Sequence, residues 1–150
     1  MAKYWIEEFT SIDVEADIAS EFRYRNVKLN TDDLYIFVSQ SGETADTLAA
    51  LRLAKELGFA STLTICNVAT SSLVRESDLA LMINAGVEIG VASTKAFTAQ
   101  LVDLLLLTLA LAKFNGLSGG KESDIVSKLV GGNVIHFTAT IETEVGKDLK

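Results

Sequence analysis

Apolar residues along this chain follow two alternating rhythms. Leu34-Tyr-Ile-Phe-Val38 is an unbroken apolar, β-branched and aromatic run, as expected of a strand buried on both faces. It ends in Ser39-Gln-Ser-Gly42, which predicts a turn. From Thr44 to Leu57 the apolar residues Ala45, Leu48, Leu51 and Ala54 recur at helical spacing between polar Asp46, Arg52 and Lys55. Gly58 follows where such a helix would stop. The alternation then repeats: a strand from Ser61 to Asn67, a short helix around Ser72 to Ser77, a strand from Leu79 to Ile83, a glycine-containing loop, and a long helix from Thr94 to Phe114. Strands alternating with helices predict parallel pairing and a layered α/β sandwich.

Two further pieces flank this core. Ala2 to Thr10 reads as the end of a helix leading to a strand around Asp13 to Ile18, and the tail contains the strand-like run Asn133-Val-Ile-His-Phe-Thr138. Ser118 to Lys121 and Gly131-Gly132 read as flexible joints. There is no tandem repeat and no low-complexity tract.

Composition narrows the partners. A chain of 150 residues with 49% hydrophobic content is the size of one domain with an ample core. Its net charge of −7 and the lack of any Lys/Arg run argue against nucleic acid. One cysteine, Cys66, and one histidine, His136, allow no internal disulfide and leave little material for a metal site. Met1-Ala-Lys-Tyr-Trp-Ile-Glu-Glu is not a leader pattern, so a cytoplasmic location is expected. The apolar stretch Leu101 to Ala112 is interrupted by Asp103 and falls short of the ~20 residues that span a bilayer, which predicts a buried helix and no membrane partner. Proline is absent, although an average usage of about 5% would place several in such a chain.

In an open parallel sheet, ligands bind beyond the carboxyl ends of the strands. Two loops qualify. Ser39-Gln-Ser-Gly-Glu-Thr44 offers the hydroxyls of Ser39, Ser41 and Thr44, the amide of Gln40, a glycine, and the free N–H groups of the next helix. Such a set can hold an anion; equally, Ser41 or Thr44 could simply cap that helix. The second loop, Asn84-Ala-Gly-Val-Glu-Ile-Gly-Val-Ala-Ser-Thr-Lys95, could wrap a small polar ligand. Neither G-x-x-x-x-G-K-[ST] nor G-x-G-x-x-G occurs, so a nucleoside triphosphate is not expected. Cys66 reads as a small buried hydrophobe and His136 as structural. Glu43, Asp46, Glu76 and Asp78 read as groups that cap or solvate helix ends, and Lys95 as an exposed first-turn lysine or a ligand contact.

Ser39-Gln-Ser-Gly-Glu-Thr-Ala-Asp-Thr47, Cys66-Asn67 with Ser71-Ser-Leu-Val-Arg-Glu-Ser-Asp78, and Glu88-Ile-Gly-Val-Ala-Ser-Thr-Lys-Ala-Phe97 closely resemble successive motifs of one family. That family is the glutamine:fructose-6-phosphate amidotransferases, in the first half of their isomerase (SIS) region. With Ala19-Ser-Glu-Phe-Arg-Tyr-Arg25 the resemblance runs from Lys3 to Lys113. It implies Ser39, Gln40, Ser41 and Thr44 as phosphate ligands, and Val91 and Ser93 as contacts to the sugar. The ligand implied is a hexose 6-phosphate: fructose 6-phosphate, glucose 6-phosphate or glucosamine 6-phosphate. No cofactor is implied, and a homodimer is an alternative to a monomer. The family's glutaminase, second isomerase half, Schiff-base lysine, acid/base glutamate and ring-opening histidine match nothing in this region. The resemblance therefore implies binding without turnover by this chain alone.

The family's fold is a three-layer sandwich around a five-stranded parallel, flavodoxin-like sheet whose first strand lies in the middle. Here the chain begins within the helix that follows that strand. Asn133 to Thr138 is the remaining strand-like stretch, so the expectation is a circularly permuted or engineered order in which this C-terminal segment supplies the central strand. Ala139 to Thr143 would then replace the family's loop and bring Glu142 toward the phosphate, weakening binding. A non-enzymatic sugar-phosphate sensor, or a chain that keeps the fold without binding, are the alternative readings.

Overall fold

The computed structural model describes residues 1–26, 32–58, 61–87 and 94–131. Three strands, β1 (Leu34–Ser39), β2 (Ser61–Cys66) and β3 (Leu79–Met82), form a parallel sheet in the order β1-β2-β3. Leu34 is in register with Ser61, Ser39 with Cys66, and Cys66 with Met82. Helices α1 (Ala2–Phe9), α2 (Ala19–Phe22), α3 (Ala45–Glu56), α4 (Ser72–Glu76), α5 (Thr94–Phe114) and α6 (Gly119–Gly131) complete the described elements.

Alternation along β1 splits the core between the two faces of the sheet. Phe37 joins Leu48, Ala50, Leu51 and Ala54 of α3, Phe22 of α2 and Leu73 of α4. On the other face Ile36 packs beside Ile65, Ile83, and Ala99, Leu104 and Leu107 of α5. Helices on both faces give a three-layer α/β arrangement. By length and apolarity alone α5 could cross a membrane; its residues Ala99, Leu104 and Leu107 pack against the sheet.

Two expectations need correction, and one element is added. The segment around Asp13 to Ile18 is not a strand. A strand is defined by its neighbour, and no described strand lies along it; the segment is held by Arg25, which pairs with Glu15 at 3.1 Å and Asp17 at 2.6 Å. Ser118 to Lys121 is a helix start, not a joint: the Ser118 carbonyl accepts from the N–H groups of Lys121 and Glu122. Glycines at 119 and 120 cost little there, because first-turn N–H groups have no intrahelical partner to lose. Ala19–Phe22, unread as an element in the sequence, is a single helical turn fixed by Phe22 against Tyr35 (ring centroids 6.1 Å apart) and by the pair Arg23–Asp46 at 2.5 Å. Asn133 to Thr138, Ala139 to Thr143 with Glu142, and the five-stranded sheet they would complete lie outside the described residues.

Candidate functional site

β1 ends at Ser39, and the chain reaches α3 through Gln40, Ser41, Gly42, Glu43 and the N-cap residue Thr44. Gly42 adopts φ +67°, and a Cβ there would stand 2.2 Å from Ser71 Oγ, 2.5 Å from Ser71 Cβ and 2.8 Å from Cys66 Sγ. Only glycine lets the backbone lie this close at this conformation. Its N–H donates to Ser39 Oγ at 3.0 Å, and its carbonyl accepts from the Leu73 N–H at 3.1 Å. Ser39 Oγ and Thr44 Oγ1 are 3.1 Å apart, and Ser41 Oγ accepts from the Glu43 N–H at 3.2 Å.

The capping alternative fails on this geometry. Thr44 makes no side-chain cap bond to α3, and Ser41 bonds to Glu43 instead. The first turn of α3 therefore keeps its N–H groups and the positive end of its dipole beside the Ser39–Thr44 hydroxyls. Glu43 caps the neighbouring helix: its Oε1 accepts from the Ser72 N–H at 2.7 Å, and this bond holds its carboxyl below the usual range. Ser71 Oγ adds a second acceptor at the start of α4.

A groove of about 450 Å³ opens beyond the carboxyl ends of the strands, lined by Gln40, Asn67, Val68, Ala69, Gly86 and Val87. Its volume is in the range of small-molecule sites. Gln40 brings the first loop to it, and Gly86 and Val87 bring the second. Val91 and Ser93 lie outside the described residues. Asn67 was not singled out as a site residue in the sequence. Its side chain accepts from the Ala85 N–H at 2.9 Å and donates to the Gly86 carbonyl at 2.8 Å; no local spacing pattern announces a bond across eighteen residues. Lys95 Nζ donates to the Val87 carbonyl at 2.6 Å, closing the foot of the same loop.

The other acidic residues act as struts. Glu76 takes Arg52 in a two-bond pair at 2.6 and 2.7 Å, which lowers its pKa. Asp78 accepts from the Thr62 N–H and hydroxyl at 2.8 and 2.7 Å, and the hydroxyl bond is the main cause of its lowered pKa. Asp103 differs. On α5 it lies between Ala99 and Leu107 at i, i+4 spacing, on the stripe that meets the sheet. Its Oδ2 is buried without a hydrogen-bond partner among the described residues, and burial raises its pKa from 3.8 to about 6.

The profile of the SIS domain family matches residues 1–110. Among curated proteins, the glutamine–fructose-6-phosphate aminotransferase [isomerizing] of Pseudomonas aeruginosa is 62% identical over 130 residues, covering 86% of this chain and 21% of that protein. Its counterpart in Shewanella oneidensis is 52% identical over 147 residues, covering 98% of this chain and 23% of the relative. The chain thus spans about a fifth to a quarter of these relatives' length. A match over 98% of the chain in one unbroken order keeps the tail in the relative's own sequence order, so a permuted order has no support. Among solved structures, the C-terminal domain of glucosamine-fructose-6-phosphate aminotransferase from Francisella tularensis superposes with a TM-score of 0.83 at 50% identity, covering 87% of this chain and 37% of that one.

Proposed function

The chain belongs to the SIS domain family, and from that premise we propose that its groove binds a hexose 6-phosphate. The phosphate is taken by Ser39, Gln40, Ser41 and Thr44 with the first-turn N–H groups of α3, and the sugar extends toward the second loop and its Val91 and Ser93. One observation carries the reading: the uncapped start of α3 stands beside three hydroxyls, one loop residue away from a groove of ligand size. An oxyanion accepts such N–H and O–H donors at once, and the helix dipole favours its charge. The relatives' names specify fructose 6-phosphate as their substrate, which makes it the first sugar to test, followed by glucose 6-phosphate and glucosamine 6-phosphate. Turnover is assigned to groups that the family resemblance puts outside Lys3 to Lys113, because the chemistry needs a base and a nucleophile placed at the reacting carbons.

Titration of the whole chain with fructose 6-phosphate, followed through the amide resonances of residues Ser39 to Thr44, tests the reading. Saturable shifts are expected there, and Ser41→Ala should weaken binding about tenfold, as for loss of a hydrogen bond to a charged group. Resonances that stay in place at saturating ligand overturn it. The proposal includes a five-stranded sheet, two strands more than the three described, with the outer edge of β1 as the place for one of them. If Asn133 to Thr138 supplies that strand, removing Gly131 to Lys150 abolishes cooperative melting; an unchanged melt assigns the place to another segment.

A further inference from the structure

We propose that Asn67 is a positioning residue that ties the two ligand loops into a single site; this deepens, and rests on, the hexose-phosphate reading above. Asn67 is the first residue after β2. Its main-chain N–H donates to the Gln40 carbonyl at 3.2 Å, which fastens it to the first loop. Its side-chain amide spans to the second: Oδ1 accepts from the Ala85 N–H, and Nδ2 donates to the Gly86 carbonyl. The amide can face only one way, since a flip would set donor against donor and acceptor against acceptor.

The second loop needs such a tether. Asn84 and Gly86 are both left-handed, at φ +53° and +71°, and a Cβ on Gly86 would meet no described residue within 4 Å. Val87 is 82% exposed. Packing holds this wall only at Ala85, which meets the core of Ile65, Ile83 and Ala99; at Gly86 and Val87 polar bonds take over, and those from the sheet end come from Asn67. Gln40 and Asn67 also line the groove with Gly86 and Val87, so the length of the Asn67 amide sets the distance between the phosphate end and the sugar end. A ligand that touches only the first loop should be indifferent to this spacing, whereas one that spans both loops should depend on it.

The test uses the full chain, with inorganic phosphate and glucose 6-phosphate as separate probes. In Asn67→Ala the affinity for phosphate should stay within about twofold and that for glucose 6-phosphate should fall about tenfold, the scale of one to two lost hydrogen bonds. Asn67→Asp keeps the acceptor for Ala85 but sets an acceptor against the Gly86 carbonyl, so the ratio of its two affinities should fall at least as far as in Ala; it also serves if the Ala variant does not fold. Equal losses for both probes, or no loss for glucose 6-phosphate, overturn the proposal. If the wild-type chain binds neither probe, the hexose-phosphate reading fails, and the tether is then judged by amide hydrogen exchange at Ala85. Exchange faster in Asn67→Ala by tenfold or more supports it, and an unchanged rate overturns it.

Discussion

Gly42 and Gly86 occupy the same left-handed backbone region, at φ +67° and +71°, one in each loop of the groove. They are set in different surroundings. Gly42 is pressed against Ser71 and Cys66, and its N–H and carbonyl are both bonded. Among the described residues, none stands within 4 Å of where a side chain on Gly86 would go. The first loop belongs to the closely packed face of the sheet that carries α3 and α4, and is fixed before any ligand arrives. The described start of the second loop, residues 84–87, is held by Ala85 against the core and by a few polar bonds. A phosphate has one shape and rewards a rigid receptor, while a sugar with several hydroxyl patterns is better met by a wall that can shift.

The sharpest way to break this contrast is Gly42→Ala. Adding a Cβ 2.2 Å from Ser71 Oγ at a positive φ should cost about 3 kcal/mol in a denaturant melt, from overpacking and backbone strain together. A cost below about 1 kcal/mol would mean that the loop is not seated on Cys66 and Ser71.

Asp103 probes the α5 side next. Its folded pKa of about 6 lies above its ordinary 3.8, so the folded state holds the proton more tightly than the unfolded chain. Stability from this group is full below about pH 4, declines as pH rises to about 6, and stays lost above that. Two units would be worth about 3 kcal/mol, which partial exposure reduces to about 1–2 kcal/mol. Asp103→Leu should regain that amount at pH 8 and flatten the acid limb of the melting curve between pH 4 and 6. A variant with the wild-type pH profile would show that the carboxyl finds a partner or water.

Gly86→Ala should cost about 1 kcal/mol, the strain of a left-handed alanine alone. A cost as large as that of Gly42→Ala would erase the difference between the loops. Glu43→Gln should have the smallest effect. Glu43 has a depressed pKa through the Ser72 N–H, so its contribution is present above about pH 4.5 and fades as pH falls through its folded value. The Gln variant should lose that slope and no more. A larger loss would mean that Glu43 bears on the first loop as well as on α4.

The periodic parts of the fold were legible in the sequence. The strands at Leu34, Ser61 and Leu79 and the helices at Ala45 and Thr94 fall where the apolar rhythm predicts them, since each buries the face that the rhythm marks. What depended on a partner was not legible. Asp13 to Ile18 alternates Val14, Ala16 and Ile18 with acidic residues but has no described neighbour to pair with, and Ala19–Phe22 is helical because Phe22 meets Tyr35 and Arg23 meets Asp46. Glycines at 119 and 120 masked a helix whose later residues Ile125, Val126 and Leu129 carry the helical spacing. The first loop was found from its hydroxyls and its place before a helix, but whether those hydroxyls capped α3 was decided only by geometry. Asn67 went unassigned because its importance lies in three bonds to two distant loops, none of which leaves a mark on its neighbours in sequence.

Cys66 is the only cysteine in the chain, and it lies with no exposed surface directly beneath Gly42, 3.5 Å from Ser71 Oγ. An alkylating reagent can reach that sulfur only when the first loop or the neighbouring Val68 to Ser71 segment lifts from it, so the labelling rate is a clock for local opening. With opening and closing fast relative to the chemistry, the rate equals the intrinsic thiol rate scaled by the open fraction. The protein thus carries a built-in reporter of how long this region stays shut. Any ligand that bridges the Ser39–Thr44 hydroxyls would slow the clock in proportion to its occupancy, and affinity could be read by mass spectrometry without a label on the ligand.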